Sequence, residues 1–135
     1  MPQVLFDDPF VEFSFDAERR LARFKRKRAR FADVAEGERT FERVLAARQS
    51  IVLTDVRLLI DQRDVVGNNS PEFEQMIGRY SARILAGASK VAFLVATVAG
   101  KLQIERMMGG RGAKKTSAVF TEEGAALAFL MRDDA

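Results

Sequence analysis

The sequence predicts a single α/β domain over residues 1–135, with a mixed, mostly parallel sheet of about five strands and packed helices. Three observations predict it. The run from Lys90 to Ala99 contains VAFLVATVA, nearly all apolar and rich in β-branched residues, as a central strand covered on both faces requires. A second run, Leu58-Leu59-Ile60, ends in Asp61-Gln62-Arg63, passes Gly67, Asn68 and Asn69, and meets Ser70-Pro71-Glu72. Ser at a cap position followed by Pro at the first helical position is the chemistry of a helix start. Helix-like and strand-like patterns alternate after an initial hairpin, which implies crossovers between parallel neighbours.

The elements follow in the order ββαβαβαβα. Phe10 to Phe15 alternates, with Val11, Phe13 and Phe15 on one face and Glu12 and Ser14 on the other. Asp16-Ala17-Glu18 makes a polar turn, and Leu21 to Arg28 returns as a second strand. The same residues also fit helical spacing, but the preceding strand and short turn favour a hairpin. Asp33 caps a helix to Ala47, with Phe41, Val44, Leu45 and Arg48 on one side. Val56 to Gln62 is the next strand. The helix opened by Ser70 carries Phe73, Met76, Ile77, Tyr80, Ile84 and Leu85 at the 3–4 spacing of a buried stripe. Lys90 to Ala99 is a strand, Leu102 to Met108 a short helix, and Ser117 to Phe120 a last short strand. Thr121 caps a final helix.

Composition excludes several kinds of chemistry. Histidine, cysteine and tryptophan are absent. No Cys/His metal site and no Ser-His or Cys-His nucleophile pair can be built. A carboxylate metal site, or an enzyme using Asp61, Asp64, Lys101 or Lys114, stays open, but no spacing marks those four as a catalytic group. MPQVLFDDPF lacks the basic start and apolar core of a signal peptide. Val91 to Ala99 is about half the length of a membrane-spanning helix. A soluble cytoplasmic protein without cofactor or membrane span is expected, and the lack of cysteine fits a reducing compartment.

Three groups of residues invite a functional reading. Asp61 and Asp64, with Asn68 or Asn69, have the ligand types of a hard-cation site. The alternative is a strand-end carboxylate that bonds loop N–H groups or pairs with Arg63, and it is favoured because such acids are common at turns. Residues 19–30 hold eight basic and no acidic side chains, among them Arg23, Lys25, Arg26, Lys27 and Arg28. Such a run suits nucleic-acid or lipid phosphates. The favoured alternative is an edge strand whose charges protect it against edge-to-edge pairing. As a strand it would divide its charges between two faces. Gly109-Gly110-Arg111-Gly112-Ala113-Lys114-Lys115-Thr116 fails as a phosphate loop, because Ala113 precedes the lysine and a helix comes before it.

Three strings and their order carry a resemblance. They are Asp61-Gln62-Arg63 with Gly67-Asn68-Asn69-Ser70-Pro71-Glu72-Phe73-Glu74, then Val91-Ala92-Phe93-Leu94-Val95 with Gly100-Lys101-Leu102-Gln103-Ile104-Glu105-Arg106, then Val119-Phe120-Thr121-Glu122-Glu123 running into Ala125–Leu130. Together they span roughly the second half of the chain. The chain resembles the STAS-like superfamily of sulfate-transporter and anti-sigma-factor-antagonist domains, and within it the small stand-alone bacterial STAS/Sec14-like branch. The resemblance implies a non-enzymatic regulatory module and makes Ser70 the equivalent of the phosphoacceptor at the helix start after the third strand. Asn69 and Pro71 stand where those antagonists carry aspartate and a second serine.

The leading expectation is a protein-interaction module. Its partner contacts would come from Asp61, Arg63, Asp64, Asn68 and Asn69, with phosphate control at Ser70. A phosphate there would meet the helix dipole and add nearly two negative charges to a recognition surface. The alternatives are a carrier or sensor of a small anionic or lipid-like ligand, and nucleic-acid binding through residues 19–30. A homodimer through the basic edge or an exposed helix is a further reading.

Overall fold

The computed structural model describes residues 2–52, 55–65, 70–109 and 116–132, with backbone alone for 107–109. The calls on Gly67, Asn68, Asn69 and the Gly110–Lys115 loop fall outside the described residues. One mixed six-stranded sheet carries four helices, with strands β1 (Gln3–Asp7), β2 (Val11–Asp16), β3 (Leu21–Arg26), β4 (Val56–Asp61), β5 (Ala88–Leu94) and β6 (Ser117–Phe120). They lie side by side in chain order. β1–β2 and β2–β3 are antiparallel hairpins, and β3–β4, β4–β5 and β5–β6 are parallel. Helices α1 (Val34–Gln49), α2 (Pro71–Leu85) and α3 (Val98–Gly109) connect the parallel strands, and α4 (Glu123–Met131) follows β6.

Strand alternation sorts the core into two halves. Ala22, Phe24, Leu58 and Ile60 face α1 and α2, joining Phe41, Val44, Met76 and Tyr80 in the larger cluster. Leu59, Ala92 and Leu94 face the other way, against Ala126, Phe129 and Leu130 of α4. Leu58 to Ile60 therefore occupies the interior ladder between β3 and β5.

Local signals explain the helix ends. The Asp33 side chain accepts from Glu36 N at 2.8 Å, and Glu36 Oε1 accepts from Ala32 N at 2.7 Å, a reciprocal cap. Ser70 Oγ accepts from Phe73 N at 3.1 Å. Two buried cations close helix C-termini. Arg48 of α1 donates to Ile84 O and Ala86 O at the end of α2. Lys90 of β5 donates to Phe129 O and Arg132 O at the end of α4. Both place positive charge where the helix dipole favours it.

Helices α1 and α2 meet at Gly37. A Cβ there would lie 2.6 Å from Met76 Cε, the tip of a flexible but fully buried side chain. Gly37→Ala gains about 1 kcal/mol of helix propensity and loses about 1–3 kcal/mol to overpacking. A net loss of about 1 kcal/mol in chemical denaturation is the expected result, growing steeply for Gly37→Leu.

The structure corrects four expectations. The sheet has six strands, not about five. QVLFD, between Pro2 and Asp8-Pro9, is short and bulged between Val4 and Phe6, and becomes a strand only by pairing with β2. The basic segment is not an edge: β3 is interior, between β2 and β4, so its edge is not free to pair with a second copy. The long apolar strand stops at Leu94, because Thr97 starts α3, its Oγ1 accepting from Gly100 N at 3.0 Å. Helix α4 begins after Glu122 without a side-chain cap, rather than on Thr121. Among the described residues no helix is long and apolar enough to cross a membrane.

Candidate functional site

The C-terminal ends of β3 and β4 hold most of the residues singled out above, and alternation sends neighbours to opposite faces. Asp61, the last residue of β4, points toward the α4 side and is 1 % exposed. Arg63 grips it in bidentate fashion, Nε to Oδ1 at 3.0 Å and a terminal nitrogen to Oδ2 at 2.8 Å, while the Arg63 backbone N–H reaches Oδ1 at 3.2 Å. Arg23 of β3 adds a bond to Oδ2 at 2.9 Å. Glu123, the first residue of α4, accepts from Arg23 at 2.7 Å and from Arg63 at 3.0 Å. Two guanidiniums and two carboxylates thus cancel in one closed cluster.

The electrostatics follow from that geometry. Burial alone would raise the Asp61 pKa, but hydrogen bonds from Arg63 and Arg23 override it and hold the carboxyl at about 2. The bond from Arg23 draws Glu123 below the ordinary carboxylate range. Arg63 is raised by Asp61; Arg23 is raised by Glu123 and Asp61 against its own desolvation. Asp61 is therefore an internal brace, with its oxygens committed to arginines rather than to a cation or to a docking protein. Asp64 is exposed and stands apart from the cluster.

The basic run divides as a strand must. Arg23 and Lys25 occupy the α4 side and Arg26 the α1/α2 side, as their partners Leu59 and Asp61, against Ile60 beside Phe24, require. Lys27 pairs with Asp7 of β1 at 2.5 Å. Arg28 and Arg30 are exposed in the loop that follows. Together the charges form no single phosphate-tracking stripe. No family model, no curated protein and no solved structure matches this chain.

Two clefts meet at Arg26. One is basic, lined by Arg26 to Arg30 with Phe31, Val65 after β4, and Phe73 in the first turn of α2. Its loop is pinned by Phe31, whose ring lies 4.5 Å from Phe10, 5.8 Å from Phe41 and 5.7 Å from Phe73 between centroids. The other cleft is apolar and lies between the sheet and α2. Ser70 is half-buried one turn before Phe73. Sequence reading missed Glu123 and the apolar cleft. Alternation in β3 carried a signal for the cleft, since Arg26 shares its face with Ala22 and Phe24.

Proposed function

We propose that this chain is a non-enzymatic regulatory module of the STAS-like type, binding an acidic segment of a partner protein beside the start of α2. The observation that carries the reading is the cleft in which Arg26, Lys27, Arg28 and Arg30 line the same wall system as Val65 and Phe73. Anchored basic side chains around an apolar floor suit an acidic peptide with an apolar anchor. Phosphate control at Ser70 belongs to the same proposal. A phosphoryl group there adds nearly two negative charges next to the basic loop, and so opposes an acidic partner. The element order after the hairpin and the serine at the helix start support the STAS-like assignment.

The test compares four baits in native lysate by quantitative mass spectrometry. Ser70→Ala removes the cap at about 1 kcal/mol and leaves the fold intact. Ser70→Asp retains a capping carboxylate while adding charge. The reading expects wild type and Ser70→Ala to recover the same partners, Ser70→Asp to recover several-fold less, and Arg28→Glu/Arg30→Glu to lose them. Equal recovery by all four baits would sink it.

A further inference from the structure

We infer that the apolar cleft at Arg26 is a binding site for a small monocarboxylic acid with one short chain or ring. The arginines at this end of the sheet differ in their partners. Arg23 and Arg63 each hold two carboxylates. Among the described residues no carboxylate pairs with Arg26, whose guanidinium lies 6.0 Å from the Phe41 ring centroid. Desolvation lowers its pKa, with no acidic neighbour among the described residues to offset the loss of water. A cation in that condition is stabilised by an anion brought to it.

The surroundings define the rest of the ligand. The cleft holds a cavity of about 30 Å³ that opens to solvent, and its floor is Phe24, Phe41, Ile60, Ile77 and Phe93. A cavity of that size holds about two waters, so the apolar part must be one slim chain or ring laid along the open floor rather than enclosed. Gln62 and Ser81 are the other polar members of the lining, and both are neutral. One guanidinium with two neutral groups matches a single negative charge better than a dianionic phosphate. The carboxylate sits at Arg26, and the chain or ring lies against the aromatic floor, α2 forming the opposite wall.

This inference goes beyond the partner-binding reading and rests on a different cleft. Octanoate and its neutral amide, octanamide, are the probes, titrated at pH 7 into the wild-type protein with its isoleucine methyls labelled for NMR. Octanoate should shift the Ile60, Ile77 and Ile84 methyls saturably, and octanamide should bind at least ten-fold more weakly. Arg26→Gln should reduce octanoate to the level of the amide, while Arg28→Gln, in the basic cleft alone, leaves it unchanged. Equal affinity for the two probes, methyls that do not move, or a folded Arg26→Gln that still prefers octanoate would overturn the assignment. The comparison of acid with amide on the wild type decides the matter even where Arg26→Gln does not fold. Loss of partner capture in Arg28→Glu/Arg30→Glu, with octanoate binding intact, separates this site from the peptide cleft.

Discussion

Asp61→Ala is expected to lower the Tm by about 10 °C, from a loss of about 3 kcal/mol. Asp61 contributes little surface, so the loss is electrostatic. Its removal leaves Arg23 and Arg63 facing each other over a vacated position, with Glu123 alone to balance them. Breaking a buried pair from one side costs about 3–5 kcal/mol. The arginine side chains are 29 % and 36 % exposed, and partial hydration places the loss at the lower end. Acid pH supplies the check. The Asp61 carboxyl falls from an ordinary 3.8 to about 2 in the folded protein, worth about 2–3 kcal/mol by linkage. A depressed folded pKa gives stability that is fully present above 3.8 and is lost as pH falls toward 2. The gap between wild type and Asp61→Ala in urea melts should therefore narrow across that window. A gap of constant size down to pH 2 would show that the ion cluster is not its cause.

Arginine neutralisation at one face, with none at the other among the described residues, gives this end of the sheet two unlike sides. The α4 side is closed: two cations meet two anions, and Glu123 ties the start of α4 to β3 and to the loop after β4. The α1/α2 side is open, with Arg26 facing an apolar floor and Arg28 and Arg30 in solvent beyond it. Adjacent residues of one strand thus belong to an ion-paired brace and to an open cationic face. Alternation alone makes the separation.

Local chemistry made much of this readable in advance. The α1 stripe of Phe41, Val44, Leu45 and Arg48 is buried as its spacing predicts, and so are Phe73, Met76, Tyr80 and Ile84 of α2. Val56 to Asp61 is an interior strand, and Ser70 caps α2, because each depends on neighbours within a few residues. What was not readable depends on distance along the chain. Arg23 meets Asp61 across 38 residues and Glu123 across 100, and no spacing in a single sequence encodes that meeting. β1 exists through its hairpin partner, and the interior position of β3 follows from β4 docking on its free side. The end of β5 was a misjudged competition. A β-branched run continues through Val98, but its neighbouring ladders stop at Asp61 and Phe120, and Thr97 can cap a helix where no partner strand remains.

Arg48→Ala should be nearly as damaging as the loss of Asp61, by about 3 kcal/mol. Arg48 is 8 % exposed, and burial pulls its pKa down, so the cation is there at a cost. Two interactions offset that cost. Its Nε donates to Ile84 O at 3.0 Å and a terminal nitrogen donates to Ala86 O at 3.1 Å, satisfying carbonyls at the end of α2. A hydrogen bond to a charged group contributes about 1.5–3 kcal/mol, and each buried carbonyl left without a donor costs about 1–3 kcal/mol. The dipole at the α2 C-terminus adds a smaller gain for positive charge. Arg48→Met separates the contributions, since methionine keeps an apolar stem without donors. Arg48→Lys offers one point donor where two carbonyls need a fork. The expected order of stability is wild type, then lysine, then methionine, with alanine lowest. Amide exchange near Ile84 and Leu85 should quicken in the same order, because the unsatisfied end frays first. A methionine variant as stable as wild type would mean that the stem, and not the fork, holds α1 against α2.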